Sequence, residues 1–163
     1  MEPGYLHLMN LIPVAAFLLG ASANPTIPDI RPIEVVVGES IAKVKIGMDL
    51  HSVMKLVRDL APEGTRRGSD RTAYVSGALR VVVDESSHVV SINVDLPKSP
   101  GLRAGKTSIP PQANLEQIQQ SMPHCQLSSG SGGRVLECEG GKKGKMHFYD
   151  SFSDPSAVWA ILP

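Results

Sequence analysis

The segment "GLRAGKTS", residues 101–108, is close to a phosphate-binding loop. Such a loop has Gly, four free positions and then Gly-Lys-Ser/Thr, so that backbone N–H groups surround phosphates ahead of a helix. Here Pro100 stands where the first glycine should be, and Gly101 comes one residue too late. The prolines in "IPP", residues 109–111, also disfavour a helix start. We therefore expect no nucleotide site.

The sequence contains residue types suited to acid–base catalysis, but their spacing matches no known catalytic motif. The histidines after the N-terminal segment are His51, His88, His124 and His147. Of these, only His147 has partners that the expected strands could bring together with it, namely Glu137 and Tyr149. The sequence contains neither a Gly-x-Ser-x-Gly elbow nor a His-Glu-x-x-His pair. We expect no enzyme, and hydrolysis is the weakest of the functional alternatives.

The two cysteines, Cys125 and Cys138, are predicted to form a disulfide. Such a bond closes a short loop and contributes about 3 kcal/mol in the chain-entropy model. The alternative is a pair of reduced thiols in the core. With only His124 nearby, the cysteines do not supply a tetrahedral ligand set, so we expect neither a metal nor a cofactor.

Residues 1–23 are predicted to be a signal peptide. The run "LMNLIPVAAFLLGASAN" is apolar, is shorter than a comfortable membrane span and ends in a small-x-small pattern, which predicts cleavage after Ala23. No Lys or Arg precedes Arg31, so an uncleaved anchor or a buried strand is the alternative. The expected product is periplasmic or secreted, with no stable membrane anchor after cleavage. Zero net charge and 4% aromatic residues argue against a nucleic-acid partner.

The elements that position these residues form two similar sets. Apolar residues recur at helical spacing in "GMDLHSVMKLVRDL", residues 47–60, and Asp49 is the expected N-cap. The strand patterns "TAYVS", "ALRVVVD" and "VVSINVDL" follow. A second helix, "NLEQIQQSM", with Asn114 and Gln117 placed for a capping box, precedes "RVLECE", "KMHFYD" and "AVWAIL". A shift of 65 aligns the helices, and a shift of 66 aligns "LRVVVD" with "KMHFYD".

This repetition predicts an α+β fold with two tandem αβββ repeats, in which a helix packs on one face of each antiparallel sheet. Residues 24–97 would hold an N-terminal strand in "IEVVVG" and the first repeat, 98–105 a linker, and 106–163 the second repeat. "PKSPGLRAG" would be the connection, with Pro and Gly stopping the first sheet.

The face of each sheet away from its helix would then be available to a partner. Alternation along the strands assigns three sets to the core: Leu79, Val81 and Val83; Leu136 and Cys138; Met146 and Phe148. The residues assigned to the open side are Tyr74, Arg80, Asn93, Glu137, Lys145, His147 and Tyr149. Trp159 is a further candidate anchor, or else a core residue of the last strand. Two loops, "EGTRRGSDR" and "EGGKKGK", add clustered charge at Arg66, Arg67, Lys142 and Lys143, which either reaches an acidic cleft or is solvated.

A helix opened by "IGM" before "LHSVMKLV", and a meander ending in "VVSINV", resembles the units of the β-lactamase-inhibitor protein and of the small outer-membrane lipoprotein of the β-barrel assembly machinery. The resemblance implies a binder whose sheets form one slightly concave surface laid over an enzyme. Exported immunity proteins, which neutralise toxins acting on the cell envelope, are similar in size and plan. We therefore predict a protein-binding inhibitor of the immunity type, with an envelope assembly or scaffold factor as the alternative.

Overall fold

The structure is a computed structural model that describes residues 31–65, 70–140, 144–151 and 153–163. The predicted signal peptide lies outside the described residues, as do Arg66, Arg67, Lys142 and Lys143 of the two basic loops. In chain order the elements are β1 Ile33–Val36, β2 Ser40–Ile41, β3 Val44–Lys45, α1 Leu50–Leu56, β4 Ala61–Thr65, β5 Thr72–Ser76, β6 Leu79–Val83, β7 Val89–Asp95, a 3-10 helix Leu96–Lys98, β8 Leu102–Ala104, β9 Thr107–Ile109, α2 Leu115–Ser121, β10 Gln126–Ser129, β11 Gly133–Glu139, β12 Lys145–Ser151 and β13 Asp154–Leu162.

The strands form two sheets. An eight-stranded antiparallel sheet has the order β10-β11-β12-β13-β7-β6-β5-β4, and a five-stranded sheet has the order β3-β2-β1-β8-β9. In the smaller sheet β1 runs parallel to β8, and the other pairs are antiparallel. One hydrophobic cluster takes buried side chains from both sheets and both helices, including Ile41, Val53, Leu102, Ile118 and Phe148. The core therefore joins the two sheets and the two helices.

The predicted fold class is wrong, because the protein is mostly β. The expected arrangement was two three-stranded sheets, each covered by a helix. Instead the last strand of the second meander, β13, pairs with the last strand of the first, β7, and this makes one continuous sheet. Each helix has only seven residues, which is too short to cover a face of that sheet.

Local signals for the helices are confirmed. The Asp49 side chain accepts a hydrogen bond from the Ser52 backbone N–H at 3.0 Å, and Asn114 forms a reciprocal capping box with Gln117. The first helix is shorter than its apolar pattern predicted. Of its side chains only Val53 is buried, and Met54 remains 44% exposed.

The expected strands in "IEVVVG" and in the two meanders are present, but each meander has a fourth strand that sequence analysis missed. In the first meander this is β4, which contains Pro62 and lies at one edge of the large sheet, where a missing backbone N–H is tolerated. In the second it is the polar strand β10 at the opposite edge. Proline and polar composition indicate turns when read locally, and only the position at a sheet edge explains them as strands.

The segment "GLRAGKTS" is a hairpin, and not a simple connection. Strands β8 and β9 pair so that Ala104 lies opposite Thr107, with Gly105 and Lys106 at the turn. Gly105 has φ of +61°, in the left-handed region that glycine adopts most readily. Because β8 also pairs with β1, residues within the predicted linker 98–105 belong to the smaller sheet.

The β2–β3 hairpin turns through two residues that are not glycine. Ala42 and Lys43 have φ of 53° and 67°, between the directly paired Ile41 and Val44. The left-handed region costs an L-residue about 1–2 kcal/mol, whereas glycine is favoured in such turns. We expect Lys43→Gly to raise the free energy of unfolding by about 0.5–1 kcal/mol, after allowing for the extra freedom of glycine in the unfolded chain. Urea unfolding measures this.

The matched control is Gly47→Ala. Gly47 has φ of +80° and nothing lies within 4 Å of an added Cβ, so the substitution tests backbone conformation alone. We expect it to lower the free energy of unfolding by about 1 kcal/mol. If the two variants change stability in the same direction, the conformational explanation is wrong.

Candidate functional site

The eight-stranded sheet has one face in the core and one that is part-exposed. The side chains predicted to point inward are all buried, with exposed fractions of at most 5% for Leu79, Val81, Val83, Leu136, Cys138, Met146 and Phe148. Their neighbours along the same strands are intermediate or exposed, as the burial patterns of β6, β11 and β12 show. The predicted alternation is therefore confirmed on these three strands.

One row of directly paired residues crosses all eight strands on the part-exposed side. Paired residues of antiparallel strands place their side chains on the same face. The row consists of Gln126, Glu137, His147, Ile161, Asn93, Arg80, Val75 and Ala61. We call the surface made by this row, and by the residues two positions along each strand from it, the open face.

Seven of the eight described strand residues predicted to bind a partner lie on the open face: Arg80, Asn93, Glu137, Lys145, His147, Tyr149 and Trp159. Tyr149 pairs with Trp159, so these two aromatic side chains are neighbours there. The exception is Tyr74, whose predicted place on the open face is wrong. Tyr74 lies opposite the buried Val81, and not opposite Arg80, and it packs against the core. A register difference of one residue moves a side chain to the other face, and the sequence does not specify that register.

At one end of the open face Lys145, Glu137 and His147 form a polar cluster. Lys145 donates a hydrogen bond from Nζ to Glu137 Oε1 at 2.6 Å, and His147 Nε2 lies 3.2 Å from Glu137 Oε2. The hydrogen bond from Lys145, and then that from His147, lower the pKa of Glu137, and Glu137 in turn raises the pKa of Lys145. Both groups are thereby held in their charged forms at neutral pH.

These shifts predict a pH dependence. Because the pKa of Glu137 is lower in the folded state, its stabilising contribution is present above the unfolded pKa and is lost as the pH falls through the folded pKa. In Lys145→Met we expect the pKa of Glu137, measured by NMR from its side-chain carboxyl carbon, to rise toward the ordinary value. The free energy of unfolding of Lys145→Met should therefore fall less on acidification than that of the original protein.

The control for this titration is Lys106→Met, which removes an exposed lysine at the β8–β9 turn. It should leave the Glu137 titration where it is in the original protein. An unchanged Glu137 pKa in Lys145→Met would show that the ion pair does not form in solution.

The open face contains a pocket of about 230 Å³, which lies beside the β5–β6 turn, reaches the two central strands β7 and β13, and is bordered by charged residues and by Trp159. Arg80 donates from Nε to Glu63 Oε2 at 2.6 Å, and Lys98 Nζ lies 2.7 Å from Asp95 Oδ2. Asp95 pairs directly with Trp159 across the β7–β13 junction. Sequence analysis missed Asp95, although it lies two positions after Asn93 and therefore on the same side. Glu63 and Lys98 gave no such signal, because they were interpreted as loop and linker residues.

Tyr149 is held in place by the loop before β11. Its hydroxyl donates a hydrogen bond to the backbone carbonyl of Gly132 at 2.9 Å. The next residue must remain glycine, since a Cβ at Gly133 would lie 2.0 Å from the Asp150 carbonyl oxygen and 2.8 Å from the Tyr149 hydroxyl. The Tyr149 hydroxyl therefore contacts the loop. Of the three residues expected to come together, only His147 and Glu137 are in hydrogen-bond contact.

The predicted disulfide is confirmed. Cys125, just after α2, is bonded to Cys138 in β11. In the described ranges, no group of three or more His, Cys, Asp or Glu side chains is placed to hold a metal ion. Neither helix in the part of the chain that the structure describes is long and apolar enough to cross a bilayer.

Comparisons of the chain with protein-family models, curated proteins and solved structures give no match. The resemblance to the β-lactamase-inhibitor protein and to the assembly lipoprotein therefore stays a prediction. What the structure defines is a mostly-β protein with a disulfide and a broad open face that carries both charges and two neighbouring aromatic residues.

Proposed function

We propose that this protein is an exported, protein-binding inhibitor of the immunity type, which uses the open face to bind an envelope-targeted toxin or enzyme. The observation that carries the proposal is the placement of Arg80, Asn93, His147, Tyr149 and Trp159 on one face of a continuous eight-stranded sheet. A broad sheet face suits the surface of another protein better than it suits a small molecule, which is usually bound in a deep, mostly apolar cavity.

The composition of the open face supports a protein partner. Trp, Tyr and Arg are the residue types that most often carry binding energy at protein interfaces. Trp159 and Tyr149 lie side by side, and Arg80 is two strands away from Trp159 in the sheet. Ion pairs lie on both sides of the two aromatic residues, Lys145–Glu137 toward one edge of the sheet and Arg80–Glu63 toward the other. Because exposed ion pairs contribute little to stability, a partner can replace them at small cost.

Export is the part of the proposal that depends on the N-terminal sequence. The apolar run before Ala23 supports it, and so does the disulfide between Cys125 and Cys138, since such bonds persist in oxidising compartments.

Affinity capture from the source organism tests the proposal. The baits are the full chain, the variant Arg80→Ala/Trp159→Ala, and the control Lys55→Ala/Lys106→Ala, which removes two exposed lysines outside the large sheet. Unfolding curves first establish that the baits are folded. We expect a protein retained by the original chain and by the control, bound at least 10-fold more weakly by the open-face variant, and losing its enzymatic or toxic activity when the chain is added.

Two results contradict the proposal. If the captured partner binds all three baits equally, the open face is not the binding surface. If the partner belongs to the outer-membrane assembly machinery and no activity is inhibited, the scaffold alternative replaces inhibition.

A further inference from the structure

The pocket on the open face is lined by two carboxylates and two cations, and one of the carboxylates is nearly buried. We call it the central pocket, and its lining includes Glu63, Val75, Arg80, Asp95, Lys98 and Trp159. Its volume of about 230 Å³ is below the range of typical small-molecule sites, so it suits a single side chain.

Asp95 is the fixed anion of the central pocket. Its side chain is 10% exposed, and its backbone N–H donates to the Ala78 carbonyl at 3.0 Å, so strand pairing holds the residue in place. Its ion-pair partner, Lys98, is 73% exposed and lies three residues further along in a short 3-10 helix. An ion pair with a partner this exposed is easily exchanged. The arrangement is therefore a nearly buried carboxylate paired with an exposed cation.

Trp159 adds a second preference for a cation. It pairs with Asp95 in the sheet, so its indole borders the same space. The face of an indole ring attracts Arg and Lys side chains. Arginine is favoured over lysine because its planar guanidinium stacks on an aromatic ring and can also donate two hydrogen bonds to a carboxylate.

The opposite choice, an anionic side chain, fits the pocket less well. It would approach the two cations of the lining, Arg80 and Lys98. It would also be brought close to the fixed carboxylate of Asp95, and like charges at that separation repel.

We infer that the central pocket binds an arginine side chain presented by the partner protein, with Asp95 as its acceptor, Trp159 as its stacking surface and Lys98 as the cation it displaces. This inference rests on the proposed function for the existence of a partner, but the pocket chemistry can be measured without one.

The test uses the indole N–H of Trp159, which gives a single NMR signal because the chain has one tryptophan. The probes are N-acetyl-arginine amide, its neutral isostere N-acetyl-citrulline amide, and N-acetyl-glutamate amide. We expect a saturable shift with the arginine probe and binding at least 5-fold weaker with citrulline. Asp95→Asn should weaken arginine binding at least 5-fold, Lys98→Ala should strengthen it at least 2-fold, and Lys106→Ala should leave it unchanged.

Several results would overturn the inference: no saturable shift with arginine, equal binding of citrulline, or tighter binding of glutamate. Because Lys98 is exposed, Lys98→Ala should fold even if Asp95→Asn does not, and it then provides the test. Weaker arginine binding in Lys98→Ala would also contradict the inference. Failure here is distinguishable from failure of the proposed function. If capture of a partner depends on the open face but arginine does not bind, only the assignment of the central pocket is wrong. If arginine binds but no partner is captured, the proposed inhibitor function is wrong and the binding chemistry of the pocket is not.

Discussion

Replacing Arg134 with methionine is expected to destabilise the fold severely, because it leaves the buried carboxylate of Asp150 without its cation. The Asp150 side chain is 1% exposed. Arg134 Nε lies 3.3 Å from Oδ1 and 3.1 Å from Oδ2 of that carboxylate, and a terminal guanidinium nitrogen of Arg134 contacts it as well. Removing one partner of a buried ion pair costs about 3–5 kcal/mol. The backbone N–H of residue 134, which donates to Asp150 Oδ1 at 3.2 Å, remains in the variant. Urea unfolding at neutral pH measures the loss.

Two variants separate this explanation from simple loss of packing. Arg134 also contacts Glu116 of α2, whose side chain is 47% exposed, so Glu116→Gln should cost less than a third as much. In Arg134→Met/Asp150→Asn the buried charge is absent, and we expect most of the lost stability to return. A double variant as unstable as Arg134→Met would show that the charge of Asp150 is not the cause.

Removal of the disulfide is the second large effect that we expect. Cys125 and Cys138 are 13 residues apart, and the bond ties the end of α2 to β11. In the chain-entropy model a loop of this length contributes about 3 kcal/mol by restricting the unfolded chain. Cys125→Ala/Cys138→Ala should therefore lower the free energy of unfolding by about that amount. Alanine is preferred to serine because both positions are buried and a hydroxyl would need a hydrogen-bond partner.

Reduction provides the control for this variant. A reductant should destabilise the original protein toward the level of the double variant and should have no effect on the double variant itself. If the reductant acts equally on both, its effect does not come from the disulfide. If the double variant is as stable as the original protein, the stabilising role assigned to the bond is wrong.

Side-chain alternation is the feature that sequence analysis predicted best. Leu79, Val81, Leu136, Met146 and Phe148 are in the core as expected, since neighbours in a strand point to opposite faces whatever the strand pairs with. The same rule placed Arg80, His147 and Tyr149 together on the open face. Tyr74 shows where the rule stops, because its face depends on its register with β6.

The sequence by itself determined what depends on residues close together along the chain: the N-caps at Asp49 and Asn114, the alternation within each strand, and the pairing of the only two cysteines. Only the tertiary structure decided what depends on contacts between distant segments. Pairing of β7 with β13 merges two meanders into one sheet and brings Asp95 beside Trp159, and pairing of β1 with β8 converts an expected linker into a strand. Backbone hydrogen bonds between strands are the same for nearly all residue types, so they do not specify which distant strands pair. The pairing depends on how side chains pack in the shared core, and no local sequence pattern contains that information.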